Sequence, residues 1–245
     1  MARQGVTWTV AVMVAGRVRL SPTARARRGE ARHGLAGRGK ALHGIHHIER
    51  RGPMINFRIT LTGSAPLLMH SSRLADPLNP AAKALKKISS KRAKTDEDYA
   101  DMARLEWFGS LYLDSDFGPY IPGENISRSL VDGARISKLG VKVQRGVFIS
   151  TDVNPIAYRG PRKADDLWTD ENFRHKASVK VGTSRVMRCR PLFREWSTSA
   201  EGILDPSVMD LTDLSAVADA AGKMCGLGDW RPRFGRFNSA LEVTK

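Results

Sequence analysis

Twelve residues near the carboxyl end constrain this chain more than any other stretch: Gly226-Leu227-Gly228-Asp229-Trp230-Arg231-Pro232-Arg233-Phe234-Gly235-Arg236-Phe237. They lie between a helical pattern and a final alternating one. Three are glycines, three are arginines and three carry aromatic rings, with one carboxylate among them. Glycine lets main-chain N–H groups turn outward and approach a ligand closely. Arginine offers a planar fork to phosphate oxygens, and a ring gives a base a face to stack on. Gly226, Gly228, Trp230, Arg231, Arg233, Phe234, Gly235 and Arg236 are therefore expected to hold a nucleic-acid strand. The competing reading is a glycine-punctuated turn whose aromatics plug the core.

The formal charge of the 245 residues is +15, unevenly placed. Residues 1–53 hold eleven Lys and Arg against two Glu, which leaves 29 against 23 for the rest. The remainder is moderately basic, which fits a polyanionic partner without demanding one. Two cysteines, Cys189 and Cys225, make neither a disulfide framework nor a four-cysteine zinc site. Both sit among apolar neighbours and read as reduced core residues of a cytoplasmic protein. No run reaches membrane-spanning length, so no membrane partner is expected. No resident metal or cofactor is expected either.

Residues 1–53 are rich in Arg and Gly, lack amphipathic period and carry His33, His43, His46 and His47. Three readings stand. Glu49-Arg50-Arg51-Gly52-Pro53 precedes Met54, and Arg-Arg can be encoded as AGGAGG, a ribosome-binding sequence; the leader is then untranslated and translation starts at Met54. A disordered basic arm that grips nucleic acid is the second. Targeting is the third, although Arg17 and Arg19 spoil the apolar run as a signal peptide.

Behind Met54, Ile55, Phe57, Ile59 and Leu61 alternate with polar residues, a strand with one buried and one wet face. The loop 71–80 holds Asp76 ahead of two prolines, Pro77 and Pro80, with His70 just before the loop. A peripheral, mobile, charged insertion is expected over about 80–112, with helices over Ala81–Ile88 and from Thr95, whose Asp98 completes a capping box. A helix from Glu124 to Ser137 buries Ile126, Leu130, Val131 and Ala134. Val141–Thr151 and Val153–Tyr158 read as a strand pair. Lys176–Phe193 is the most basic strand-like region, with a bulge at Gly182-Thr183-Ser184 and with Lys180, Arg185, Arg188 and Arg190 on it. Asp210 starts a helix through Met224, and 237–243 closes the chain.

With the insertions removed, the order is strand 55–62, helix 124–137, strand 177–192, strand 195–204, helix 211–225, strand 237–243. This α+β order is the β-α-β-β-α-β unit of a ferredoxin-like (RRM-like) core with helical and strand insertions. Its helix-free sheet face would be open to a nucleic-acid strand.

Three pieces resemble the RAMP superfamily of CRISPR effector subunits, in particular the branch that forms the crRNA backbone. Pro119-Tyr120-Ile121-Pro122-Gly123-Glu124-Asn125-Ile126-Ser127-Arg128-Ser129-Leu130-Val131-Asp132-Gly133-Ala134-Arg135 is similar to that family's "PYIPGSSLKGALR" segment, with Glu124 and Asn125 where serines are usual and Arg128 near the usual lysine. Gly226–Phe237 is similar to its glycine-rich loop. Asp76-Pro77 resembles the Asp-Asn-Pro of backbone subunits that cut target RNA. The resemblance spans 54–245. It implies an RNA-binding subunit of an antiviral ribonucleoprotein that oligomerises along single-stranded ligand beside other effector subunits; a stand-alone, phage-borne relative fits the same motifs.

The first functional expectation is thus a non-catalytic binder of single-stranded RNA or DNA, through Arg128 and the strand and loop residues named above. The second is an endoribonuclease in which Asp76 positions Mg²⁺ or the 2′-hydroxyl and His70 acts as general acid or base. The third is a phage ssDNA-binding or annealing protein, and the fourth a structural virion protein.

Overall fold

The computed structural model describes residues 52–245; apart from Gly52 and Pro53, the stretch read above as leader, arm or targeting segment lies outside the described residues. In chain order the elements are β1 (Ile55–Gly63), β2 (Leu67–Leu68), α1 (Pro80–Ser89), α2 (Asp96–Ser110), β3 (Leu113–Asp114), β4 (Gly118–Pro122), α3 (Gly123–Ile136), α4 (Gly140–Gly146) and β5 (Val147–Ile149). There follow β6 (Val153–Pro155), α5 (Ala164–Thr169), β7 (Arg174–Val181), β8 (Ser184–Phe193), β9 (Ser197–Leu204), α6 (Leu211–Ala220) and β10 (Phe237–Val243). Ala221–Cys225 prolongs α6 as one wide π turn. The fold is mixed α+β, with every strand pair antiparallel.

The main sheet runs β10-β1-β9-β5. In β1 the expected alternation holds, with Phe57, Ile59 and Leu61 fully buried. The opposite, wet face carries Arg58, whose cross-strand neighbours are Glu201 and Glu242. Arg58 Nη2 donates to Glu201 Oε1 at 2.9 Å. This face is mostly polar, with one Arg against two Glu, which does not favour the nucleic-acid strand expected on it.

The strand beside β9 is β5, not the 177–192 region. That region is a hairpin: Val181 pairs with Ser184 across a two-residue turn in which Gly182 takes φ +60°. The expected bulge is therefore a chain reversal. A left-handed glycine in a two-residue loop matches the twist of antiparallel strands, whereas a bulge would keep the chain going forward. The hairpin belongs to a second sheet, β2-β8-β7, and β3-β4-β6 makes a third.

The 141–149 stretch also departs from expectation. Gly140–Gly146 is helical, and only Val147–Ile149 extends. Valine at 141 and 143 mimics strand alternation, but Leu139 O accepts the Val143 N–H and begins the turn. Nor does the 80–112 insertion stand aside from the core. Its capping box forms as expected, Thr95 with Asp98. At its other end Trp107 is fully buried in the main core and donates Nε1–H to Phe173 O at 2.9 Å.

Helices α3 and α6 meet where a side chain would not fit. A Cβ on Gly133 would lie 2.6 Å from Ala221 N and 2.7 Å from Ala221 Cα. Gly133→Ala should therefore destabilise the domain by about 1–3 kcal/mol through overpacking, read as a lower urea midpoint. Helix propensity alone favours alanine by about 1 kcal/mol, so a raised midpoint would refute the contact.

Candidate nucleic-acid interface

The loop after α6 is held by its own main chain. Gly226 N–H donates to Ala221 O at 2.8 Å, Leu227 N–H to Gly235 O at 2.8 Å, Asp229 N–H to Leu68 O at 2.8 Å and Gly235 N–H to Pro66 O at 2.8 Å. The amides of Gly226 and Gly235 are spent on the protein, so for these two glycines the expectation that they offer N–H groups to phosphate is corrected. The glycines serve close approach. Gly235 has φ +72°, and a Cβ there would fall 1.8 Å from Leu227 O; on Gly228 it would fall 2.3 Å from Leu68 O.

A second clasp ties the loop to α3. Asp132, with a side chain 19% exposed, receives Arg135 at 2.9 Å, Arg128 at 3.2 Å and Arg231 at 3.4 Å. Arg231 also donates to Gly226 O at 3.3 Å, and Ser129 Oγ donates to the same oxygen at 2.9 Å. Arg128 and Arg231 thus share one carboxylate in a structural cluster. Arg236 is likewise occupied, its Nε donating to Pro232 O at 3.0 Å.

Of the loop's rings only Trp230 is free to stack. It is 43% exposed, whereas Phe234 is 9% exposed and closes a small cluster with Leu68 and Leu192. The plug reading holds for Phe234. Trp230 lies 5.6 Å from Phe234 and 6.1 Å from His175 between ring centroids. The Arg233 guanidinium sits 5.2 Å from the Trp230 centroid, a cation–π contact that stiffens the ring from one side.

Between Trp230 and the β7–β8 hairpin runs a groove of about 460 Å³. Leu68, Ala177 and Val179 supply apolar lining, and Lys180, Arg185, Arg188 and Arg190 supply charge against the single carboxylate of Asp229. The structure therefore brings four of the sequence-chosen cations to Trp230. Strand register divides them, however. Arg188 faces Ala177 and Arg190 faces His175, while Lys180 faces Arg185 on the other side of the hairpin, near its tip. The deeper pair is also partnered. Arg188 pairs with Glu106, 8% exposed, which takes the Cys189 N–H at 3.1 Å as well; Arg190 Nε lies 3.0 Å from Asp229 Oδ2. Among the described residues Lys180, Arg185 and Arg233 make no ion pair.

His70 lines an adjoining cavity rather than the groove, with Nδ1 3.9 Å from Asp229 Oδ2. Burial, and next the Arg190 charge, lower its pKa from the usual value. Asp76 is elsewhere in role: its Oδ1 accepts the Leu78 N–H at 2.8 Å, a turn bond, and it does not line the cavity holding His70, Arg188 and Arg190. At the start of α3 the Gly123 N–H is taken by Asp152 O, and the acidic Glu124 that follows weighs against an anion there. Burial drives the Cys189 thiol to about 11, an inert core residue. Among the described residues no cluster of His, Cys, Asp or Glu could hold a metal ion, and no helix is long and apolar enough to cross a membrane.

Sequence reading passed over His175, Glu106 and Asp132. A signal existed for His175: period-two alternation puts it on the same face as Ala177 and Val179. None existed for Glu106 or Asp132, which are helix-surface carboxylates until their distant partners arrive.

His175, like His70, is a weaker base than usual, from burial first and then from Arg233 and Arg194. Each imidazole binds fewer protons folded than unfolded, near and below pH 6.5. Acidification from pH 7.5 through 6.5 should therefore destabilise the domain, levelling off below the folded-state pKa values. Urea midpoints at pH 7.5 and 5.5 check this, and His70→Asn with His175→Asn should flatten the difference.

Compared with known proteins, the chain matches no protein-family model and no curated protein.

Proposed function

We propose that this protein binds single-stranded nucleic acid, RNA in preference, in the groove between Trp230 and the β7–β8 hairpin. The observation that carries the reading is the meeting of an exposed tryptophan face with four cations and an apolar lining in one open channel. A strand offers a charged spine and a row of flat bases, and such proteins answer it with a basic groove and a stacking ring. Lys180 and Arg185, free of carboxylates, are the phosphate contacts. Arg188 and Arg190, already partnered, add field and shape more than new bonds.

The core is ferredoxin-like under this reading. Its unit is β1-α3-β5-β9-α6-β10 in the sheet order β10-β1-β9-β5, with α1, α2 and the β7–β8 hairpin as insertions. Membership of the RAMP superfamily, oligomerisation along the ligand, further effector subunits and cytoplasmic residence belong to the same proposal, supported by the Pro119–Arg135 and Gly226–Phe237 motifs.

Fluorescence anisotropy with a fifteen-nucleotide RNA tests it. Affinity should fall steeply between 50 and 200 mM salt, and Lys180→Ala with Arg185→Ala should flatten the log–log slope by about 1.4, for two phosphates on a single strand. Trp230→Ala should cost about 1–3 kcal/mol. Salt-independent binding, or full affinity in all variants, sinks the reading. Competition with DNA of the same sequence separates the ssDNA-binding alternative. Shortening of the RNA with Mg²⁺, lost in Asp76→Ala or His70→Asn, would make the protein a nuclease.

A further inference from the structure

Resting on the strand-binding reading, the geometry points to a base-specific subsite: Asp229, beside the Trp230 ring, reads guanine. The groove is lined by cations and apolar side chains with a single carboxylate among them, and that carboxylate adjoins the stacking ring in sequence. For phosphate binding alone an acidic group there is a cost. For base reading it is an acceptor in the same groove as the stacking ring.

Asp229 is also rigidly set. Its N–H donates to Leu68 O at 2.8 Å, and both Arg190 Nε, at 3.0 Å, and His70 Nδ1, at 3.9 Å, approach Oδ2. Among the described residues Oδ1 accepts no hydrogen bond. An ionised carboxylate is acceptor-only, with lone pairs to spare on that oxygen. The ion pair with Arg190 Nε, 3.0 Å from Oδ2, fixes the plane of the carboxylate.

The four bases differ in what they offer such a group. Guanine alone places two donors, N1–H and N2–H₂, side by side on its Watson–Crick edge. Adenine and cytosine set a ring-nitrogen lone pair toward the carboxylate, which repels it. Uracil has one N–H flanked by two carbonyl oxygens. Guanine's other edge carries the O6 and N7 acceptors, which suit guanidinium donors. Arg188 and Arg190 stand on one hairpin face beside Asp229 and, held by Glu106 and Asp229, favour that acceptor edge through their field rather than through new bonds. The volume of about 460 Å³ lies in the range of sites that enclose one small ligand, enough for one splayed nucleotide.

The test compares the intact chain's affinity for U₁₅ with U₁₅ carrying one central guanosine, inosine or adenosine. Guanosine should bind roughly tenfold or more tighter than uridine, the discrimination expected of a good two-point contact. Inosine lacks only the N2 amine and should lose much of that gain, a result independent of any protein variant. Asp229→Asn, with its circular dichroism and thermal midpoint checked against the parent, should bring the ratio of guanosine to uridine affinity to about one, whatever it does to the absolute affinities. Equal affinity for all four oligonucleotides, or an adenosine preference, overturns the guanine assignment and leaves strand binding standing. Failure to retain any of them overturns strand binding and this inference together.

Discussion

The candidate interface depends on a short run of main-chain hydrogen bonds between the segment after β1 and the loop before β10. Ser64 N–H meets Arg236 O at 2.8 Å, Gly235 N–H meets Pro66 O, and Asp229 N–H meets Leu68 O. Each bond fixes one residue of a twelve-residue loop that has no regular structure of its own. Asp229 and Trp230 take their places because the loop cannot slide against Pro66–Leu68. Left unmade in a buried setting, each such bond would cost about 1–3 kcal/mol. The glycines matter because this approach is too close for side chains. They earn their place as steric vacancies, where their composition had pointed to ligand contact.

The charge of the molecule is spent in two different ways. Around Asp132, three guanidinium groups converge on one carboxylate and pin α3 to the loop. Around the groove, Glu106 and Asp229 hold Arg188 and Arg190, so the arginines nearest the core are structural as well as electrostatic. Removing either carboxylate would leave a part-buried cation without its partner, a heavier loss than the pair's own net contribution. What remains for an external polyanion is narrower than the basic composition suggests: Lys180 and Arg185 near the hairpin tip, and Arg233 against Trp230. Basic residues in sequence are therefore poor guides to a basic site until their carboxylates are placed.

Local signals survived folding where a single element decided them. The alternation in β1, the apolar stripe of α3, the Thr95–Asp98 capping box and the Asp210 cap of α6 all take the expected form. Misreadings arose where a pairing partner outside the local pattern, near or far along the chain, decides. Val141 and Val143 have strand-like spacing, yet Leu139 anchors a helical turn. Gly182 permits either bulge or reversal, and the pairing of Val179 with Val186 selects reversal. Trp107 gave the 80–112 insertion an apolar anchor whose destination, Phe173, no local pattern reveals. At the site, composition singled out the loop and the hairpin, which line one groove, but could not assign faces. Parity could have separated Arg188 and Arg190 from Lys180 and Arg185, since residues three apart on one strand point oppositely.

The placement of the groove also explains why the sheet's wet face is a weaker candidate. On that face Arg58 lies between Glu201 and Glu242, and Thr60 and Ser199 share a hydrogen bond at 2.9 Å. A polyanion there would displace existing cross-strand pairs and meet the exposed Phe148 ring beside carboxylates rather than beside free cations. In the groove it would meet a ring already held at an exposed angle by His175, Phe234 and Arg233. Ordering a mobile side chain on binding costs about 0.5–1.5 kcal/mol, and here much of that ordering is complete beforehand. The same contacts that keep Trp230 from collapsing onto the core make it ready for a base, so fold stability and ligand readiness have one source.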